Sequence, residues 1–223
     1  MHDFSKALLK LMKERRSVRI FTGEKIPREK ILSIIEAGIW APTGCNNQEL
    51  RFLIIDNERE INEILRFKPF LKGVSTIILV FCDMSLPMSQ MYIKYNFAKH
   101  LFYIDAGLAL ANMILYAQSM GISSCIFNIS EHHFAVTSNK KPILIKEIIN
   151  VTLIRLGLHK LLENSFAHYL RKRLKIPKHL KLVCGVAFGY AKKYPDVKKT
   201  WHGGKPIMRK EIDYYIIHND EIK

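Results

Sequence analysis

Strands separated by helices, with no linker between them, predict one globular domain of mixed α/β or α+β class. Three observations carry this expectation. Apolar side chains recur at helical spacing near the N-terminus, with Phe4, Leu8, Leu11 and Met12 on one face and Ile31, Ile34, Ile35 and Ile39 on another. Residues 75–82 are almost wholly apolar or β-branched, which reads as a strand buried on both faces. The chain has neither internal repeats nor a low-complexity tract. Its 223 residues suffice for one large domain, and a hydrophobic content of 48% excludes a disordered chain.

The elements follow in order. Residues 3–14 form an amphipathic helix, and Thr22-Gly23 breaks the chain. Pro27 suits the first turn of a second helix that ends near Pro42. Residues 50–56 read as a strand, and 57–65 as a helix by charge pattern. Residues 83–97, with Pro87, Met84, Met88 and Met91, read as a loop or short helices with exposed apolar side chains. Residues 104–119 are apolar nearly all round, as in a buried helix, and Gly121 ends them. Residues 124–129 form a strand and 140–175 further helices. Residues 180–189 are a last core strand, and 212–218 a terminal strand.

Composition bounds the function classes. The net charge of +15 is uneven: +3 over residues 1–70, 0 over 71–135 and +12 over 136–223. A basic C-terminal part could draw polyanions, but its lysines are spread along elements and aromatic interleaving is sparse, so a solvated basic surface is the expectation. The first residues carry Asp3 and no long apolar run, so no secretory signal is read and a cytoplasmic location is expected. The longest strongly apolar runs are too short to span a bilayer. Cys45, Cys82, Cys125 and Cys184 are scattered without a C-x-x-C pair, as expected of free thiols and not of a zinc site. His132-His133 beside Glu131 reads as a surface pair, not a metal site.

Two short segments carry chemistry. Arg15, Arg16, Ser17 and Arg19 crowd three guanidinium groups and a hydroxyl into five positions, which suits a phosphomonoester. A basic helix C-terminus reads the same way in isolation. Pro42-Thr43-Gly44-Cys45-Asn46-Asn47-Gln48 is a turn of small and amide residues that can read the hydrogen-bonding edge of a flat heterocycle. Alone it is also an ordinary helix stop. The two at this separation, each after a helix, are harder to obtain by chance.

Their order resembles the nitroreductase family of FMN-dependent oxidoreductases. That family carries R-[RH]-S-x-[RK]-x-F after its first helix and P-S-[SG]-x-N-x-Q after its second. Asp105-Ala106-Gly107 to Leu115 resembles the family's long central helix, D-x-G-x-A-x-x-N-x-x-L, and Gly121 to Cys125 resembles its G-L-G-[ST]-C segment. Residues 176–190 resemble its L-P-x-x-x strand. The likeness covers 1–135 and 170–210, leaving 136–169 as a helical insertion in a single domain, 1–223.

The resemblance implies an α+β nitroreductase-like fold, with a central, mostly antiparallel sheet flanked by helices in a homodimer. It implies Arg15, Arg16 and Ser17 on the phosphate and ribityl groups of FMN, and Arg19 near the N1/O2 edge. Pro42, Thr43, Gly44 and Asn46 would come from the partner subunit, with Gln48 in the same turn. Ile126, Phe127 and Asn128 would lie at the flavin N5 edge, and Lys205 or Arg209 would complete the phosphate site. Hydride would pass from NAD(P)H through the flavin to a nitro- or quinone-like acceptor, with no side-chain acid or base and no metal. Alternatives are a pathway-specific dehydrogenation or reductive dehalogenation, or a non-enzymatic polyanion-binding protein. Two departures stand out: the family's Q-P-W reads Gln48-Glu49-Leu50 here, and the glycine before its flavin-facing strand end is missing from Ile126-Phe127-Asn128-Ile129.

Overall fold

A computed structural model describes residues 2–95, 100–129, 166–195 and 212–215. They fall in two compact units, Met1–Lys193 and Tyr194–Lys223. The expected insertion up to residue 165, His132-His133, Lys205 and Arg209 lie outside the described residues.

The first unit opens with α1 (His2–Glu14), then the short strand β1 (Ile20–Phe21) and α2 (Arg28–Ile39). Pro27 is the residue before α2 and not within its first turn. A 3-10 turn (Gly44–Asn46) leads into β2 (Leu50–Ile55), α3 (Glu58–Phe67) and β3 (Thr76–Asp83). Of the loop or short helices expected over 83–97, the structure shows a short helix, α4 (Pro87–Lys94), with proline at its start, where no amide hydrogen is needed. Next come α5 (Leu101–Ser119), β4 (Ser123–Asn128), α6 (Phe166–Arg173), β5 (Leu180–Gly189) and β6 (Ala191–Lys193).

Among the described residues four strands form one sheet in the order β2-β3-β5-β4, every neighbour antiparallel. The α+β expectation therefore holds over the α/β one. β3 is buried at all eight positions because helices cover both faces. Ile77, Leu79 and Phe81 pack with Ile61 and Ile64 of α3 and Leu170 of α6. Ile78 and Val80 face the other way, onto Ile31 and Ile34 of α2 and Ala106, Leu110 and Met113 of α5. This is the two-residue period of a strand. Opposite Val80 and Phe81, β5 pairs through Cys184 and Leu182, so Val183 is an extra residue. That bulge lets Leu182 join one layer while Cys184, Val186 and Phe188 join the other.

Glycine is required where β5 meets β4. Gly185 pairs with Phe127, and a Cβ on it would lie 2.3 Å from the Phe127 ring. α5 ends in a Schellman arrangement: Gly121 (φ +74°) donates to Gln118 O at 3.1 Å and Ile122 to Ala117 O at 2.9 Å.

Three more expectations are corrected. Ile39 does not join the core face of α2; it is 63% exposed at the helix end. Residues 212–215 form a 3-10 turn (Ile212–Tyr215), not a strand. α5 is buried only along the line of Phe102, Ala106, Ala109, Leu110, Met113 and Ala117. Its Tyr103, Ile104, Leu108 and Tyr116 are exposed. By length and composition alone it could cross a membrane; here its buried line packs on α2 and the sheet.

α3 is started by Asn57, whose side-chain oxygen accepts from Arg59 N at 2.9 Å and Glu60 N at 3.4 Å. Asn57→Ala is expected to cost about 1 kcal/mol, or roughly 2–4 °C in melting temperature, read by thermal unfolding.

Candidate functional site

After α1 the chain leaves the helix and runs along the start of β4. Val18, fully buried, anchors it: its amide donates to Ser124 O at 3.0 Å, and Ser17 bridges Ser124. A β-branched apolar residue between charged ones gives this pattern, with Val18 inward and Arg15, Arg16, Ser17 and Arg19 half-buried around it.

The three arginines differ. Arg16 turns back, donating to Lys13 O and, at 2.8 Å, to Arg15 O, so it complements the C-terminus of α1. Arg19 donates to Ser17 O at 3.3 Å. The charges of Arg19 and Arg15 both act on the Cys125 thiol of β4, partly opposing the burial that pushes its pKa up. The two guanidinium groups therefore lie on the β4 side. On that strand Ile126 is 43% exposed and Asn128 is exposed, whereas the Phe127 ring is packed into the core at Gly185. Phe127 can offer a ligand only its backbone.

The turn before β2 holds three non-glycine residues in left-handed conformation: Cys45 (φ 52°), Asn46 (φ 52°) and Gln48 (φ 51°). Each costs on the order of 1–2 kcal/mol, less for the asparagine. Neighbours hold the shape. Gly44 N–H donates to Asp105 Oδ2 at 3.0 Å, Gln48 N–H to Thr43 Oγ1 at 3.0 Å, and the Asn47 amide to Ser89 Oγ of α4 at 2.9 Å. Pro42, Asn46 and Gln48 remain exposed, and Thr43 and Gly44 half-buried. The turn thus presents amide and backbone groups on a fixed frame.

Behind it lies a buried acid pair whose role the sequence reading missed, Glu49 and Asp105, 2% and 4% exposed. Burial first, then the neighbouring Asp105 carboxyl, raises the Glu49 pKa above its ordinary 4.5. Burial, then Glu49 and Asp105, pushes the Cys82 thiol up to about 12. The neighbouring Cys45 thiol, then burial, raises the Tyr92 phenol to about 12. A cavity of about 10 Å³, enough for one water, lies between Glu49, Asn47, Ser89, Tyr92 and Phe102. The signal was present in the sequence: an acid stands where the resembled turn has proline, and another opens the apolar helix.

One chain does not bring the two segments together. The arginines lie beside β4 and the turn leads into β2, the opposite edges of the sheet. Three strand spacings separate those edges, about 14 Å. Lys205 and Arg209 lie outside the described residues. Among the described residues there is no group of three or more His, Cys, Asp or Glu that could hold a metal.

Comparison with known proteins gives a consistent picture. The model of the Nitroreductase family matches residues 12–68, which include both segments. A relative from Archaeoglobus fulgidus, provisionally named an NADH dehydrogenase/NAD(P)H nitroreductase, is 30% identical over 119 residues, 52% of this chain and 64% of that protein. Iodotyrosine deiodinase of Thermotoga neapolitana is 31% identical over 113 residues, 38% of this chain and 61% of that protein. In each case less than two thirds of the relative's length is spanned. Among solved structures, an FMN-dependent nitroreductase from Clostridium difficile superposes with a TM-score of 0.63 at 18% identity, covering 94% of this chain and 97% of the other. The fold is nitroreductase-like.

Proposed function

Because the chain has the nitroreductase fold and matches that family's model at residues 12–68, we propose that it is an FMN-dependent oxidoreductase. The observation that carries this reading is the placement of two complementary half-sites on opposite sheet edges. An arginine-rich half stands at β4 and an amide-bearing turn at β2. A second copy, turned about a twofold axis, supplies the half that each copy lacks. The exposed Ile104, Leu108 and Tyr116 of α5, with Leu9 and Met12 of α1, offer the apolar surface such a pair would bury.

The donor set fits FMN. Arg15 and Arg19 provide fixed positive charge for a phosphate and for an anionic ring edge, and Ser17 a hydroxyl. The exposed amides of Asn46 and Gln48 and the backbone of Thr43–Gly44 orient the heterocycle. Ile126 and the Asn128 backbone border its reactive edge. FMN, when bound, supplies two-electron transfer between a nicotinamide donor, NADH or NADPH, and a small organic acceptor. The protein binds, orients and screens from water, with no side-chain proton donor required. A cytoplasmic location agrees with the buried free thiols Cys82, Cys125 and Cys184.

A second reading, reductive dehalogenation, rests on the likeness to iodotyrosine deiodinase. Both readings need flavin. The purified protein is expected to be yellow, with FMN in stoichiometric amount and a dimeric mass by light scattering. A colourless protein that takes up no added FMN, or a monomer with full FMN occupancy, overturns the shared-site reading. Polyanion binding that survives physiological salt favours the non-enzymatic alternative.

A further inference from the structure

A buried carboxyl group that no protein donor serves stands behind the turn. Glu49 is 2% exposed, and neither of its carboxyl oxygens has a hydrogen-bond partner in the protein. Its backbone oxygen accepts Asp83 N–H at 2.8 Å, so β3 fixes its position. Glu49 borders the one-water cavity described above, together with Asn47 of the turn, Ser89 and Tyr92 of α4 and Phe102 of α5. The Asn47 amide nitrogen donates to Ser89 Oγ at 2.9 Å, which ties the turn to α4 at the cavity wall. A second buried carboxyl, Asp105, is close by. Its Oδ2, which accepts Gly44 N–H at 3.0 Å, and the Tyr92 hydroxyl stand 3.6 and 3.5 Å from where a Cβ on Gly44 would be.

Neither carboxyl has a basic partner, because the ion pairs among the described residues join other groups. An unpaired buried charge is costly. A proton on Glu49 would remove the charge but leave the cavity. Water would fill the cavity but leave the charge. A small monovalent cation answers both. The polar atoms around the cavity are hard oxygens: a carboxylate, the Ser89 and Tyr92 hydroxyls and the Asn47 amide oxygen, which suit such an ion. Divalent ions do not fit. Magnesium keeps several waters and calcium takes about six to eight oxygens, whereas this space holds one water-sized particle. We propose that Glu49, with Asn47, Ser89 and Tyr92, binds one sodium-sized monovalent cation that ties turn 43–48 to α4. The site stands apart from the function proposed above; only its effect on FMN rests on that reading.

Cation and proton compete for the same carboxylate. Burial holds the Glu49 pKa above its ordinary 4.5. Without the cation, the stability that protonated Glu49 contributes is complete below that ordinary value and is lost as pH rises through the folded one. Cation binding restores it on the alkaline side. The other titratable groups facing Glu49 are Asp105 of α5, Cys82 of β3 and Tyr92 of α4, with Cys45 of the turn beside Tyr92 and Lys181 of β5 acting on Cys82. Cys82 and Tyr92, both pushed up to about 12, stay neutral in the range tested.

The test is thermal unfolding of the full-length chain without FMN, in the chlorides of sodium, potassium and N-methylglucamine at equal ionic strength, which cancels general screening. Sodium is expected to raise the wild-type melting temperature by about 3–6 °C over N-methylglucamine, the shift given by an ion at roughly ten times its Kd. Potassium should raise it less. The sodium rise should be larger at about pH 8 than at about pH 5. Glu49→Gln keeps the volume without the charge and is expected to lose the rise. Equal wild-type melting in the three salts overturns the site. So does a potassium rise as large as that of sodium, a sodium rise no larger at the higher pH, or an undiminished rise in E49Q. If E49Q fails to fold, Tyr92→Phe, which removes one oxygen, is expected to need several-fold more sodium for half the shift, and a wild-type midpoint there overturns the site equally. With FMN present, sodium is expected to tighten FMN binding by wild type and not by E49Q. Unchanged FMN affinity overturns the hold on the turn. If no FMN binds in any salt, the proposed function fails, while the FMN-free melting curves still decide the site.

Discussion

Phe188→Ala is expected to lose about 3–5 kcal/mol of stability and to lower the melting temperature by roughly 6–20 °C. Phe188 is fully buried near the end of β5, where it pairs with Thr76 on one side and Ser124 on the other. Its ring fills the layer between the sheet and the α2–α5 pair. Truncation removes apolar contacts and leaves a cavity that three elements cannot close together. Phe188→Leu, which refills much of the volume, should cost under about 1.5 kcal/mol. Urea and thermal unfolding read both variants. A loss below about 1 kcal/mol for the alanine variant would mean this layer is not packed as described. The effect reaches the site, because Ser124 opposite Phe188 is also the residue on which the arginine segment leans.

Arg15→Ala is expected to weaken FMN binding about tenfold to over a hundredfold, the value of a charge-assisted phosphate contact of roughly 1.5–3 kcal/mol. Arg16→Ala should behave differently. Its guanidinium already serves the carbonyls of Lys13 and Arg15, so its removal should cost α1 roughly 0.3–1 kcal/mol and change FMN affinity little. Titration of FMN into each stripped variant, followed by flavin fluorescence, separates the two. Equal affinity of Arg15→Ala and the parent would remove Arg15 from the phosphate site. A larger loss at Arg16 would exchange the two assignments.

Those assignments show what the sequence carries and what it hides. Periodicity located β3, β5, α1 and α5 closely, because long apolar runs have few ways to be buried. It could not choose strand direction: β3 is covered on both faces, so it reads like a parallel strand although both its neighbours are antiparallel. That choice came from the resemblance. Ile39 was misplaced because helical spacing continues past the point where the core ends. The arginine segment and the turn were visible as residue types, but the different aims of Arg15 and Arg16 were not; only the path of the chain past β4 separates them. The Glu49–Asp105 pair was hidden because its members lie far apart in sequence and meet through the packing of α5 against the turn. The left-handed residues were equally hidden, since Cys45 and Gln48 have no intrinsic preference for that conformation.

Among the described residues β4 ends the sheet, and a free strand edge is a template for another chain to pair with. The start of that edge is met by the 15–19 segment through Val18 and Ser17. The same few residues therefore stand guard over self-association while offering their arginines outward. Whatever steadies them shields the edge, and whatever frees them uncovers it. Exposure of that edge and placement of the arginine segment are in this way tied to one buried residue, Val18.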